Sequence, residues 1–254
     1  MDSFRLVSYN IRGFPWCDPP IKEIVAWLTK NSDIVALQEV WCRHAAWSAA
    51  FAAAGWVFLR PAREAHIAGL FGSGLAFAWP AAAWTLIDAR QYPYLQATGL
   101  DQLAAKGWFR VELRPAAPAS ASASVPTLRL INTHFQSDYD LFGDELHERT
   151  EALRMHQARQ LAVTERGLRK HDPTTLIVGD FNTDTCWIPG CQFIGEALSA
   201  LPHTFPPARQ HLDHLATWAP AAWLIGEHRV FTGLNWSDHL PVRWILRRAS
   251  SVRG

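Results

Sequence analysis

Apolar and polar residues alternate from Phe4 to Asn10, the period of a half-buried strand. From Pro20 to Lys30 the period changes. Ile21, Ile24, Val25 and Leu28 fall on one face of a predicted helix. Asp33 to Glu39 is a short apolar run ending in charge, which predicts a buried strand, and Trp41 to Ala54 is an alanine-rich predicted helix closed by Gly55. Strand-like segments follow at Trp56–Leu59, Gly74–Trp79, Trp84–Tyr92 and Lys106–Leu113, separated by Gly, Pro and polar residues. A Pro/Ala/Ser run between Pro115 and Pro126 predicts a flexible loop within one unit, because the motifs on its two sides need one another.

The second half repeats the mixture. Thr127–Thr133 and Thr174–Val178 predict strands, with a long helix from Glu145 to Lys170 between them. A short helix is expected over Ile194–Leu201, then closing strands at Leu212–Trp218, Trp223–Phe231 and Pro241–Leu246. Pro241 suits a strand start, where a missing N–H is tolerated. This order suits an α/β chain with two sheets packed face to face and helices outside. A single catalytic domain over residues 1–254 is expected, with a polar tail at 247–254.

Composition narrows the function. Net charge is +1 and hydrophobic residues make up 49%, so a large core is available and DNA binding by bulk charge alone is excluded. Four cysteines without C-x-x-C spacing argue against a thiolate zinc site and for free thiols in a reducing compartment. No apolar run approaches the ~20 residues of a membrane span. Met1-Asp2-Ser3-Phe4-Arg5 is not a basic-then-apolar leader. A cytoplasmic protein with no obligate protein partner is therefore expected.

Polar residues stand where the apolar runs end: Asn10, Glu39, His134, Asp180 and Asn182 in Gly179-Asp180-Phe181-Asn182, Asp213 in Leu212-Asp213-His214, and Asp238 with His239 after Ser237. Loops at strand ends are where a rigid scaffold presents reactive groups. Each residue alone reads equally well as a cap, a turn or a satisfied core polar group. The full set in this order resembles the endonuclease/exonuclease/phosphatase superfamily from Ser8 to Val242.

That resemblance implies a DNase I-like four-layer α/β/β/α sandwich and a metal-dependent phosphoric ester hydrolase. It implies that Glu39, Asn10 through its amide carbonyl, and Asp238 hold magnesium, a hard cation that takes oxygen donors; manganese fits the same set. His239 is then the base that activates water, steadied by Asp213. Asp180 orients the water, Asn182 donates to a phosphate oxygen, and His134 donates to phosphate or protonates the leaving oxygen. Tyr9, Gln38 and His214 are explained by packing and hydrogen bonding. Lys106-Gly107 reads as a turn, Asp138 as a residue of the cleft, and Arg154 with Gln157 as structural. Trp16, Tyr139 and Trp236 are candidate substrate-binding residues.

The substrate stays open between two phosphodiesters. DNA or RNA is favoured by the intracellular expectation and by Arg12, Arg43, Arg60 and Arg63, which would track a phosphate backbone. A phospholipid head group is favoured by similarity to neutral sphingomyelinases in Leu37-Gln38-Glu39-Val40-Trp41, Gly72-Ser73-Gly74-Leu75-Ala76-Phe77, Lys106-Gly107 and Asn132-Thr133-His134. A non-catalytic binding domain predicts loss of a catalytic position, and none is lost.

Overall fold

The computed structural model describes residues 3–14, 17–61, 72–116, 127–138, 145–168, 175–194 and 202–249. The expected helix at Ile194–Leu201, most of the Pro115–Pro126 loop and the end of the tail lie outside them.

Two six-stranded mixed sheets form the body of the described residues. The first contains β1 (Phe4–Asn10), β2 (Ile34–Gln38), β3 (Trp56–Leu59), β4 (Ala76–Pro80), β11 (Trp223–Val230) and β12 (Val242–Arg248), in the order β11-β12-β1-β2-β4-β3. The second contains β5 (Trp84–Pro93), β6 (Gly107–Pro115), β7 (Leu128–His134), β8 (Thr175–Asp180), β9 (Gln192–Phe193) and β10 (Asp213–Thr217), in the order β5-β6-β7-β8-β10-β9. Each sheet has one parallel pair joined by a helical crossover. β1 and β2 are linked by α1 (Ile21–Asn31), and β7 and β8 by α3 (Glu145–Leu168). Parallel neighbours require such a crossover.

Three apolar layers make this a four-layer sandwich. Between the sheets lie Phe4, Leu6, Ile34, Ala36, Phe77, Phe109, Val111, Leu130, Leu176, Val178 and Trp244. Outside the first sheet, Val7, Tyr9, Val35 and Leu37 pack on Ile24 and Leu28 of α1 and on Trp47 and Phe51 of α2 (His44–Ala53). Outside the second sheet, Ile131 and Ile177 pack on Ala158, Leu161 and Ala162 of α3. The central strands are therefore buried on both faces. Each fully buried aliphatic or aromatic side chain contributes roughly 1.5–3 kcal/mol by leaving water.

Alternation along the strands explains where the chemistry goes. Side chains two apart point to one face. The inward row of β1 runs Leu6, Ser8, Asn10; that of β2 runs Ala36, Gln38; that of β7 runs Leu130, Asn132, His134; that of β8 runs Leu176, Val178, Asp180. All four rows turn from apolar to polar at the C-terminal end. The space between the sheets is oily at one end and carries carboxylates, amides and imidazoles at the other.

Some boundaries differ from expectation. α2 starts at His44 rather than Trp41, because the chain from Glu39 to Arg43 makes a turn with left-handed backbone at both ends (φ 60 and 56). Gln192 and Phe193 pair with Thr217 and Ala216 as a short strand that periodicity over two residues cannot reveal. A 3-10 turn at Gly99–Leu103 was likewise not expected.

Candidate active site

Register brings the inward polar residues together. In the second sheet His134 lies opposite Asp180 and Asp180 opposite Asp213, so three chemically active side chains stand in a row across β7, β8 and β10. Gly179 makes the close strand approach possible. It sits at φ +144, and a Cβ there would fall 2.0 Å from the carbonyl oxygen of Thr133. From the first sheet, Asn10 ends β1 and Glu39 follows β2. His239 arrives on the loop before β12.

Hydrogen bonds tie these groups across the sheets. The Asn10 amide donates to Glu39 Oε1 at 3.0 Å and to Asp180 Oδ2 at 2.9 Å. His239 Nδ1 meets Asp213 Oδ2 at 2.8 Å, and His239 Nε2 lies 3.5 Å from Asp180 Oδ2. His134 Nε2 lies 3.5 Å from Asp180 Oδ2 and 3.9 Å from Glu39 Oε1. The site is a dense carboxylate cluster with imidazoles set into it.

Burial governs its electrostatics. Desolvation pushes the Glu39 carboxyl up to about 7, against the opposing pull of the Asn10 bond and of Lys106 and His239. Desolvation raises Asp180 as well. For His239 burial disfavours the charge, but Asp213, Asp180 and Glu39 outweigh it and raise the imidazole to about 10. His134 goes the other way. Burial, then Lys106 and His239, hold it well below the ordinary histidine range, so it is neutral.

Two of the expected residues have these partners in the structure. The Asn10 carbonyl oxygen accepts from the Arg12 backbone N–H at 3.0 Å, and it is the amide NH2 that faces the carboxylates. Asn10 is thus oriented as a clamp on Glu39 and Asp180. His134 Nε2 lies 3.1 Å from Lys106 Nζ. In this arrangement the neutral imidazole accepts from the ammonium.

The remaining expected residues are placed as follows. The Asn182 amide donates to the Phe135 carbonyl at 3.1 Å, at a left-handed position (φ 50), which leaves its second N–H unassigned. Asp238 pairs with Arg12 Nε at 3.2 Å. Both line an open cavity of ≈ 430 Å3 with Trp236, Cys17 and Asp18. Trp16 and Tyr139 lie outside the described residues. Arg154 holds Asp138 and the Gln136 carbonyl, and Gln157 accepts from the Gln136 backbone, so both are structural as expected. Cys17, Cys42, Cys186 and Cys191 are free thiols.

Lys106 is the residue that sequence reasoning undervalued. Its ammonium is 1% exposed and contacts Asp101 Oδ2 at 2.8 Å, the Phe135 carbonyl at 2.8 Å and His134 at 3.1 Å. Read as a turn residue, it is a buried cation directly behind the site. Trp41, stacked over His134 at 6.5 Å between ring centroids, was also missed, although it adjoins the Gln38-Glu39 motif.

Several groups have the donor chemistry of a hard cation site. Glu39, 14% exposed on its side chain, is a desolvated carboxylate whose raised pKa marks uncompensated negative charge. Oxygens of Asp180 and Asp213 and a ring nitrogen of His239 also lie within 4.8 Å of one another. The 2.8 Å bond between His239 and Asp213 gives that second group the form of a base and its orienting acid.

With this geometry in place, the class is defined. The chain belongs to the Endonuclease/Exonuclease/phosphatase family, which it matches over residues 7–240. It is a hydrolase of the kind that acts on phosphate ester bonds. Its fold is similar to that of sphingomyelinase C from Streptomyces griseocarneus, with a TM-score of 0.69 at 17% identity, covering 96% of this chain and 99% of that one. Beta toxin from Staphylococcus aureus with bound magnesium ions gives 0.71 at 14%, covering 96% and 99%. D. rerio TDP2 complexed with single strand DNA product gives 0.67 at 13%, covering 96% and 99%. Among curated protein sequences none matches significantly. No described helix is long and apolar enough to cross a membrane.

Proposed function

We propose that this chain is a magnesium-dependent phosphodiesterase that hydrolyses its substrate by His239-activated attack of water. The observation that supports the reading is the hydrogen-bonded His239–Asp213 pair joined through Asp180 to the cluster of Asn10, Glu39 and His134. Asp213 holds the proton on Nδ1 and so points the basic Nε2 toward Asp180. A water oriented by the Asp180 carboxylate gives a proton to Nε2 as its oxygen bonds to phosphorus, the P–O bond to the leaving group breaks, and the leaving oxygen takes a proton from solvent. The second Asn182 N–H donates to a phosphate oxygen as charge builds there. Lys106 contributes fixed positive charge through neutral His134.

Glu39 and Asp238 would hold magnesium, or manganese, with the Asn10 amide orienting Glu39; the bound cation would offset charge on the phosphoryl oxygens and on the carboxylate cluster. With that charge offset, the His239 imidazole would move toward neutrality and could serve as a base.

A nucleic acid is the favoured substrate. Arg12, half exposed at the cavity that holds Asp238 and Trp236, supports it with charge for a neighbouring phosphate and an aromatic wall for a base. The second reading is a phospholipid phosphodiester. Its support is an apolar groove of ≈ 650 Å3 between α1 and α2, lined by Ile21, Val25, Ala46, Ala49 and Ala53 and reaching Pro19, which also lines the site cavity. The deciding experiment measures magnesium-dependent turnover of bis-p-nitrophenyl phosphate, plasmid DNA and sphingomyelin liposomes side by side. Nicking that falls steeply with salt supports nucleic acid, and phosphocholine release without nicking supports lipid. Absence of turnover on every phosphodiester ends the enzyme reading.

A further inference from the structure

Beneath the site, two amides join the sheets at a place where the surrounding core is apolar. Gln38 of β2 and Asn132 of β7 are both 0% exposed. Gln38 Nε2 donates to Asn132 Oδ1 at 2.7 Å and to Ser8 Oγ at 3.2 Å. Asn132 Nδ2 donates across the sandwich to the Leu37 carbonyl at 2.8 Å and the Ala76 carbonyl at 3.0 Å. Both N–H bonds of each amide are therefore used. Leu37 and Ala76 face each other as the last registered pair of β2 and β4. One residue beyond Gln38 the backbone turns left-handed at Glu39, a conformation that is strained for a residue with a side chain. The first sheet is thus interrupted where Glu39 must leave it, and Asn132 takes up the two carbonyls at that edge.

Filling this space with hydrocarbon would avoid the cost of burying two amides, so their yield in stability is small. What hydrogen bonds add is direction. The pair locks the end of β2 to β7 one residue before Glu39 and two residues before His134, whose side chains then stand 3.9 Å apart. We infer that Gln38 and Asn132 act as a positioning pair for catalysis, fixing the register between the two sheets that sets Glu39 against His134. The inference rests on the phosphodiesterase reading above, and neither residue touches the reacting atoms.

The test uses the full-length chain with Gln38→Met, Asn132→Leu and the double variant, alongside Leu113→Ala as a control. Leu113 is buried in the apolar layer and lies at the far end of β6 from the site. Thermal unfolding, kcat and KM on bis-p-nitrophenyl phosphate, and the magnesium-induced rise in Tm are measured for each, well below each variant's own Tm. Expected is a fall in kcat of about 10–100-fold with KM changed less than about threefold, because misplacement by an ångström costs that much. The double variant should lose about as much as Asn132→Leu alone, since the pair acts as one unit. The magnesium-induced rise in Tm should shrink in all three. Leu113→Ala should lose Tm while keeping kcat and the magnesium response.

Unchanged kcat in the folded variants overturns the inference, as does an equal loss of kcat in Leu113→Ala, which would mean general loosening. Should Asn132→Leu fail to fold, Gln38→Met decides, because it leaves both backbone carbonyls capped. Absence of turnover in the unmodified chain counts against the function reading alone. The magnesium response, lost in Gln38→Met and kept in Leu113→Ala or not, then decides the positioning role by itself.

Discussion

Asn10 and Asp180 stand 170 residues apart, on different sheets, and share a hydrogen bond of 2.9 Å. The same amide holds Glu39 at 3.0 Å. One side chain therefore keeps two carboxylates at a fixed spacing that their mutual repulsion opposes. Asn10→Ala leaves them without a donor. Its expected effect is a fall in kcat of about 10–100-fold with folding retained, checked by steady-state kinetics beside circular dichroism.

His239 supplies a second prediction. Its pKa is raised to about 10 by Asp213, Asp180 and Glu39 against the effect of burial. A raised imidazole stabilises the fold fully below its unfolded value of about 6.5, and that contribution is lost as pH rises through about 10. In chelator-treated protein, Tm should fall across this window. Asp213→Asn should flatten the fall and lower kcat, and His239→Ala should remove turnover by about 10²–10⁴-fold. A steep decline in Tm that persists in Asp213→Asn contradicts the assignment.

If Glu39 holds the proposed cation, its protonation sets the pH range of binding. Desolvation raises it to about 7, so a proton and a cation compete for it near neutrality. The sign follows that of His239: protonated Glu39 favours the fold, and this contribution is lost as pH rises from its unfolded value through about 7. A bound divalent cation offsets the loss. The rise in Tm with millimolar magnesium should be large at about pH 8, small at about pH 5.5, and absent in Glu39→Gln. A magnesium response independent of pH would exclude Glu39 as the principal donor.

Lys106→Met tests the buried cation. The substitution leaves Asp101 without its ammonium and His134 Nε2 without its donor, in a place closed to water. Removing one partner of a buried pair costs about 3–5 kcal/mol. Denaturant unfolding should register that loss, and kcat should fall with it. Stability within about 0.5 kcal/mol of the unmodified chain would show that the pair carries little.

Much of this arrangement was legible in the residues, and the reasons are physical. The polar positions Asn10, Glu39, His134 and Asp180 stand out because each closes an apolar run at a strand's C-terminal end, whereas Asp213 opens β10, whose antiparallel course brings its first residue beside Asp180. Strand existence was clear, but direction and pairing were not. β2, β7 and β8 are buried on both faces, so apolar residues fill both phases and little alternation survives. Lys106 was read as a turn because its burial depends on Asp101, five residues earlier, being folded back by a 3-10 turn. The amide orientation of Asn10 and the neutral state of His134 depend on partners 29 and 28 residues away, Glu39 and Lys106, which no local pattern reveals. Gln38 looked like ordinary packing and Asn132 stood out only as part of Asn132-Thr133-His134, because their pairing spans 94 residues.

The division of catalytic groups between two sheets gives the molecule a built-in dependence on its own closure. Asn10 and Glu39 travel with one sheet, and His134, Asp180 and Asp213 with the other. Heating or mild denaturant that eases the layers apart by an ångström or two should silence the chain before its backbone signal changes, so that loss of turnover precedes loss of structure.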